Sequence, residues 1–180
     1  MSTREARVER VASLIRDVPD FPSAGVMFKD ITPLLSNPIG FQAAITELVT
    51  SAPRPIDTVV GMEARGFIFA APVALALGAG FVPVRKPGKL PGDTLSASYE
   101  LEYGENTLSI HRDAVRPGAR VMVVDDVLAT GGTIGATAAL VRELGAEIAQ
   151  VSVVMELSFL SGRDKLAELG IDNYSALVTV

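Results

Sequence analysis

The stretch VMVVDDVLATGGTIGATAAL (121–140) constrains this chain more than any other. Its opening run, with Arg120 before it, is continuously apolar and β-branched, the pattern of a strand covered on both faces. Asp125 and Asp126 end the run at 120–126, and small residues then turn the chain into a helix expected over about 133–144, stopped by Gly145. A further strand is expected at 148–155. The same order occurs earlier: a strand at 56–61, a helix from about 66 to 77 ended by Gly78, and a strand at 81–84. Strand, helix, strand is the crossover unit of a parallel sheet. Two such units predict an α/β fold with an open, mainly parallel sheet flanked by helices. The likeness between them is architectural, with no sequence repeat.

Composition narrows the function classes. A chain of 180 residues fits one domain of about 100–200 residues. With 48% apolar and 21% charged residues it can bury a sizeable core, which excludes disorder. Sixteen Lys+Arg against 21 Asp+Glu leave a net charge of −5 and no basic block, so no nucleic-acid partner is expected. The absence of cysteine excludes disulfides, thiolate metal sites and a cysteine nucleophile. The single histidine, His111, excludes multi-histidine metal sites and is read as an ordinary hydrogen-bonded side chain. Residues 66–84 carry no charge, but Pro72, Gly78, Gly80 and Pro83 interrupt them, so a buried helix and strand are expected rather than a membrane span. The first 20 residues alternate charged and apolar positions and lack the apolar core of a signal peptide. A cytoplasmic location with no membrane partner is the expectation.

The remaining segments are less periodic. Val8, Val11, Ala12, Ile15 and Val18 predict an N-terminal packing helix up to Pro19. Residues 21–38 read as an ordered loop with short turns, and 41–49 as a helix. The stretch 85–106 separates the two units, and its SASYELEY portion alternates enough for part of a hairpin. Loops this long inside a compact domain are often lids. A plain β-excursion covering a sheet edge is the alternative; Arg85, Lys86 and Lys89 favour a lid that closes on an anion.

Ala129, Thr130, Gly131, Gly132 and Thr133 fall at the start of the helix, where free amides and the helix dipole favour phosphate. The loop is not a Walker A motif, lacking the Lys-Ser/Thr pair, nor a dinucleotide fingerprint, lacking the G-x-G start. Two carboxylates just before it would repel a phosphate unless they face something else. Sugar hydroxyls or a hydrated Mg²⁺ fit, which points to a phosphorylated sugar. The alternatives are an N-capping aspartate with an ordinary glycine turn, and a phospho-acceptor receiver domain, which leaves the Gly/Thr loop unexplained.

VVDDVLATGGT resembles the 5-phosphoribosyl 1-pyrophosphate (PRPP) signature of the type I phosphoribosyltransferases. Three further blocks, FPSAGVMFKDITPLL, GMEARGFIFAAPVALALG and RKPGKLPG…SYELEYG, resemble the adenine-specific branch of that family, in order and across nearly the whole chain. The resemblance implies the type I phosphoribosyltransferase fold over 1–180, with a small base-binding hood in 1–38 and a flexible lid at 85–105. It implies transfer of the phosphoribosyl group of PRPP to adenine, with Mg²⁺ required but held mainly by PRPP and water, and a homodimer. By the same match, 129–133 cradle the 5-phosphate, while Asp125 and Asp126 hold the ribose hydroxyls and favour positive charge on the sugar. Glu63, Ala64, Arg65 and Gly66 match the pyrophosphate loop, with a non-proline cis peptide expected at Glu63–Ala64. Lys86 and Lys89 match the lid positions that grip pyrophosphate. Met27, Phe28 and Lys29 match the adenine segment, Phe28 being the stacking ring; Lys29 stands where many members have arginine, and loses its planar fork. Glu102 matches the acidic residue beside the imidazole side of adenine, and Tyr103 is placed to help close the lid. Another purine base (hypoxanthine, guanine or xanthine) and a PRPP-sensing regulator remain the alternative readings.

Overall fold

A computed structural model describes residues 3–100 and 104–180 of the chain. Helix α1 (Thr3–Ser13) leads into a two-stranded antiparallel ribbon, β1 (Arg16–Pro19) with β2 (Met27–Asp30). Helices α2 (Thr32–Ser36) and α3 (Pro38–Ser51) follow; Asn37 caps α3 by accepting the Gly40 amide at 2.8 Å. The first crossover unit is β3 (Thr58–Met62), α4 (Arg65–Leu77) and β4 (Gly80–Val84). A hairpin, β5 (Thr94–Glu100) with β6 (Glu105–His111), separates it from β7 (Arg120–Leu128), α5 (Gly132–Glu143) and β8 (Glu147–Glu156). A short 3-10 turn (Ser158–Leu160), α6 (Gly162–Glu168) and β9 (Tyr174–Thr179) complete the described elements.

Five strands form one parallel sheet in the order β4-β3-β7-β8-β9. Alternation along the central strand divides the interior between the two faces. Val121 and Val123 pack into one core with Ile134, Leu140 and Val141 of α5. Met122 and Val124 pack into the other with Val11, Leu48, Phe69 and Val73. A side-chain period of two delivers successive residues to opposite faces, so a strand covered on both sides must be apolar throughout. The uncharged stretch 66–84 is α4 followed by β4, and no described helix is long and apolar enough to cross a membrane.

Two expectations from the sequence fail. Helix α1 stops at Ser13 instead of running to Pro19, and residues 21–38 hold a strand and a short helix in place of a loop. The cause is charge pairing across the ribbon: Arg16 meets Asp30 at 2.5 Å and Lys29 meets Asp17 at 2.7 Å. Cross-strand ion pairs leave no apolar period to read. Beyond 155 the sequence carried no reading; β9 is added there as an edge strand beside β8.

Close approach of α4 to β3 rests on Gly61, where a Cβ would lie 2.6 Å from the Ala70 Cβ and 3.2 Å from the Phe81 ring. Overpacking of this kind costs about 1–3 kcal/mol. Gly61→Ala is therefore expected to lower stability by about that amount in urea denaturation, with the m-value unchanged; full stability would show that the helix and strand are not in close contact.

Candidate functional site

In an open parallel sheet, ligands bind beyond the carboxyl ends of the strands where successive connections diverge. Here the chain leaves β3 toward β4 on one side and leaves β7 toward β8 on the other, so the divergence lies between β3 and β7. A cleft opens at that point. Glu63, Ala64 and Arg65 line one wall, and the continuous segment 125–134 lines the other. These walls bring together most of the residues that the sequence assigned to a phosphorylated sugar.

Asp125 and Asp126 are the last carboxylates of a buried strand, with 8% and 3% of their surface exposed. Burial, reinforced by the charge of Asp126, pushes the Asp125 carboxyl well above the usual range. Burial also raises Asp126, against the opposing pull of Arg65. Asp125 Oδ1 accepts the Asp126 amide at 2.9 Å. Gly66 makes room for it, since a Cβ there would sit 2.7 Å from that same oxygen. Asp126 Oδ2 lies 2.9 Å from Arg65 Nε as an ion pair, yet no aligned donor among the described residues reaches this buried oxygen. A buried acceptor without a hydrogen bond calls for a donor from outside the fold.

The turn after β7 is shaped by Gly131, the N-cap of α5, with φ +86°. A side chain is disfavoured there twice: by this left-handed backbone and by the Gly162 carbonyl, 3.1 Å from where its Cβ would be. Helix α5 therefore opens directly onto the cleft, and the first amides of a helix have no partner within it. Thr130 and Thr133 line the same wall and add hydroxyls.

On the opposite wall the Glu63–Ala64 peptide is cis, as expected from the resemblance. The Glu63 carboxylate accepts the Lys86 amide at 2.9 Å and Arg85 Nε at 3.1 Å. These bonds, the Lys86 amide foremost, hold the Glu63 carboxyl below its ordinary value. Glu63 thus ties the loop after β3 to the chain leaving β4. Lys86 is brought near the site through its backbone, but neither its side chain nor that of Lys89 lines the cleft as it stands. Arg85, read from the RKPGK cluster only as part of an anion-closing lid, makes the side-chain contact to Glu63 instead.

The base segment meets the cleft through one ring. Arg65 Cζ stands 5.7 Å from the centre of the Phe28 ring, which packs edge-to-face on Phe21 at 5.0 Å. Arg65 therefore bridges Phe28 and Asp126. Met27 is half exposed beside it. Lys29 is turned away, its ammonium held by Asp17. Glu102 and Tyr103 lie outside the described residues. His111 receives the ordinary role expected of it, with Nε2 2.6 Å from the Pro91 carbonyl.

Known proteins share this fold and much of this sequence. The phosphoribosyl transferase domain family matches residues 32–174. An adenine phosphoribosyltransferase of Cutibacterium acnes is 65% identical over 174 residues, covering 97% of this chain and 98% of its own. The crystal structure of adenine phosphoribosyltransferase from Thermoanaerobacter pseudethanolicus superposes with a TM-score of 0.91 at 50% identity, over 96% of this chain and 99% of that one. The Saccharomyces cerevisiae enzyme, crystallised with an imino-altritol bisphosphate and adenine, gives 0.89 at 42% identity over 96% and 99%. The fold, the divergence point and these relatives agree: the chain belongs to the phosphoribosyl transferase family and, within it, to the adenine phosphoribosyltransferases.

Proposed function

We propose that this chain transfers the 5-phosphoribosyl group of PRPP to adenine, giving AMP and pyrophosphate. The observation that carries the reading is the buried Asp126 Oδ2, an acceptor lacking a donor, set beside the open amino end of α5. One ligand must bring both hydroxyl donors and a phosphate. A ribose 5-phosphate does so, and the names of the relatives supply the base.

In this reading 129–133 cradle the 5-phosphate, and Asp125 and Asp126 accept the ribose hydroxyls. Pyrophosphate lies along Glu63, Ala64, Arg65 and Gly66, with Lys86 and Lys89 closing on it from a lid at 85–105. The hood in 1–38 offers Met27, Phe28 and Lys29 to adenine, whose ring stacks on Phe28. Arg65 exchanges its Asp126 contact for the pyrophosphate oxygens, which frees the carboxylate for the sugar and the Phe28 face for the base. Adenine N9 then attacks the anomeric carbon; the bond to pyrophosphate breaks and its electron pair leaves with pyrophosphate. The paired carboxylates favour the positive charge that develops on the sugar. Glu102 handles the proton released at the imidazole side of the base. Lid closure excludes water that would otherwise take the sugar.

Mg²⁺ fits this donor set as a cation carried in by the substrate. No group of three ligating side chains occurs among the described residues, which suits an ion held mainly by PRPP and water. Bound to PRPP, it would neutralise charge on the leaving pyrophosphate. A homodimer in the cytoplasm completes the proposal. The dimer follows from the family resemblance; for the location, the first 20 residues lack the apolar core of a signal peptide and the cysteine-free composition fits a reducing compartment.

The direct test supplies PRPP, Mg²⁺ and one purine base at a time, and follows nucleotide by chromatography. AMP from adenine alone is expected; nucleotide from another base would keep the sugar site and remove the adenine assignment. Asp125→Asn combined with Asp126→Asn should cut turnover by about 10²-fold or more, whereas Lys29→Arg should stay within a few-fold. Equal losses would misplace the sugar site.

Stability should move the other way. Burial raises the Asp125 carboxyl, so the native state holds more protons than the unfolded one above the ordinary carboxylate range, and stability falls as pH rises through that window. Asparagine carries no such charge. Asp125→Asn, free of ligand, should raise Tm at pH 8 by roughly 2–4 °C per kcal/mol gained, with the gain shrinking toward pH 5. A loss at pH 8 would mean that the charge stabilises the empty fold.

A further inference from the structure

Tyr99 sits near the end of β5, on the hairpin face that turns inward. Leu95 is buried on that face, and Ala97 and Tyr99 pack against the same core as α5. The opposite face carries hydroxyls, with Ser96 bonded to Ser109 and Ser98 to Thr107, each at 2.8 Å. Alternation thus aims one phenol at the amino end of α5. Two contacts result. The ring covers Gly132 so closely that a Cβ there would lie 2.6 Å from a ring carbon. The phenol oxygen stands 2.9 Å from Thr133 Oγ1.

We propose that Tyr99 is a positioning residue for the phosphate loop, acting through the Thr133 hydroxyl; the proposal rests on the phosphoribosyl-transfer reading of that loop. A threonine hydroxyl has one proton and free rotation about its C–O bond. When Tyr99 donates to Thr133 Oγ1, that oxygen is engaged as acceptor and its own proton is released to point into the cleft, toward a phosphate oxygen. Hydrogen bonds in such a chain strengthen one another. The ring packed on Gly132 meanwhile holds the first residue of α5 in place, so the hairpin and the phosphate loop are seated as one unit. Among the described residues, the side-chain contacts of Tyr99 are with Gly132, Thr133 and the core beside α5, and none is with 63–66. Its effect is therefore confined to the 5-phosphate end of the substrate.

The test is Tyr99→Phe, which removes the hydroxyl and keeps the ring. Calorimetry with ribose 5-phosphate and with pyrophosphate separates the two ends of the site, and steady-state kinetics separates KM from kcat. Ribose 5-phosphate affinity should fall and KM for PRPP should rise by about five- to tenfold, the loss of one hydrogen bond. Pyrophosphate affinity, kcat and KM for adenine should stay close to wild type. In a Thr133→Val background, Tyr99→Phe should have little further effect, because the shared hydroxyl is already gone. Unchanged ribose 5-phosphate binding, equal weakening of both ligands, or additive effects in the double variant would each overturn the positioning role while leaving the transfer reading intact. A wild-type chain that neither binds PRPP nor forms nucleotide would overturn both.

Discussion

Two carboxylates held side by side at the buried end of a central strand set the terms for the rest of the site. Asp125 and Asp126 repel one another and have lost most of their water, so their placement runs against the stability of the empty fold. The neighbourhood is arranged around that cost. Gly66, having no side chain, leaves room for one carboxylate, and Arg65 brings its guanidinium to the other. What remains unmet is a hydrogen bond to Asp126 Oδ2, and in the proposed reaction a ribose hydroxyl supplies it.

Arg65 joins parts that are far apart in sequence. As the first residue of α4 it belongs to the loop after β3, yet it touches the carboxylate at the end of β7 and the Phe28 ring of the amino-terminal ribbon. A single cation thus occupies positions that the proposed reaction gives to sugar, base and leaving group. The same guanidinium balances the charge of Asp126, a contact that the proposed reaction rearranges. Glu63 makes a similar junction on the other wall, linking its loop to Arg85 and Lys86. The site is held by a few polar contacts between loops, all resting on a sheet whose interior is apolar on both faces.

The parts of this arrangement that could be read from sequence are those with a short period or a local backbone demand. The apolar run of β7, the helix that follows it and the uncharged α4–β4 stretch announced themselves by composition and by Gly or Pro boundaries. The loop at 129–133 stood out because its glycines and threonines open a helix directly after two carboxylates, a combination that an ordinary glycine turn does not need. The ribbon of β1 with β2 was not legible, because ion pairs between strands hold it and no apolar alternation marks it. Tyr99 passed as one aromatic in a hairpin; its value lies in a contact 34 residues away along the chain.

Sequence alone determined the α/β class, the two crossover units, the order of the loops and the chemical identity of the groups at their tips. These follow from side-chain periodicity and backbone preference, which act over a few residues. Tertiary structure decided which tips meet. The strand order β4-β3-β7-β8-β9 places the divergence between β3 and β7 and so brings Arg65 to Asp126. Pairing of β1 with β2 turned Lys29 to Asp17, and packing of the β5–β6 hairpin on α5 turned the Tyr99 phenol to Thr133. Pairings of that kind depend on sheet register and helix packing across the whole chain, and no local pattern of residues encodes them.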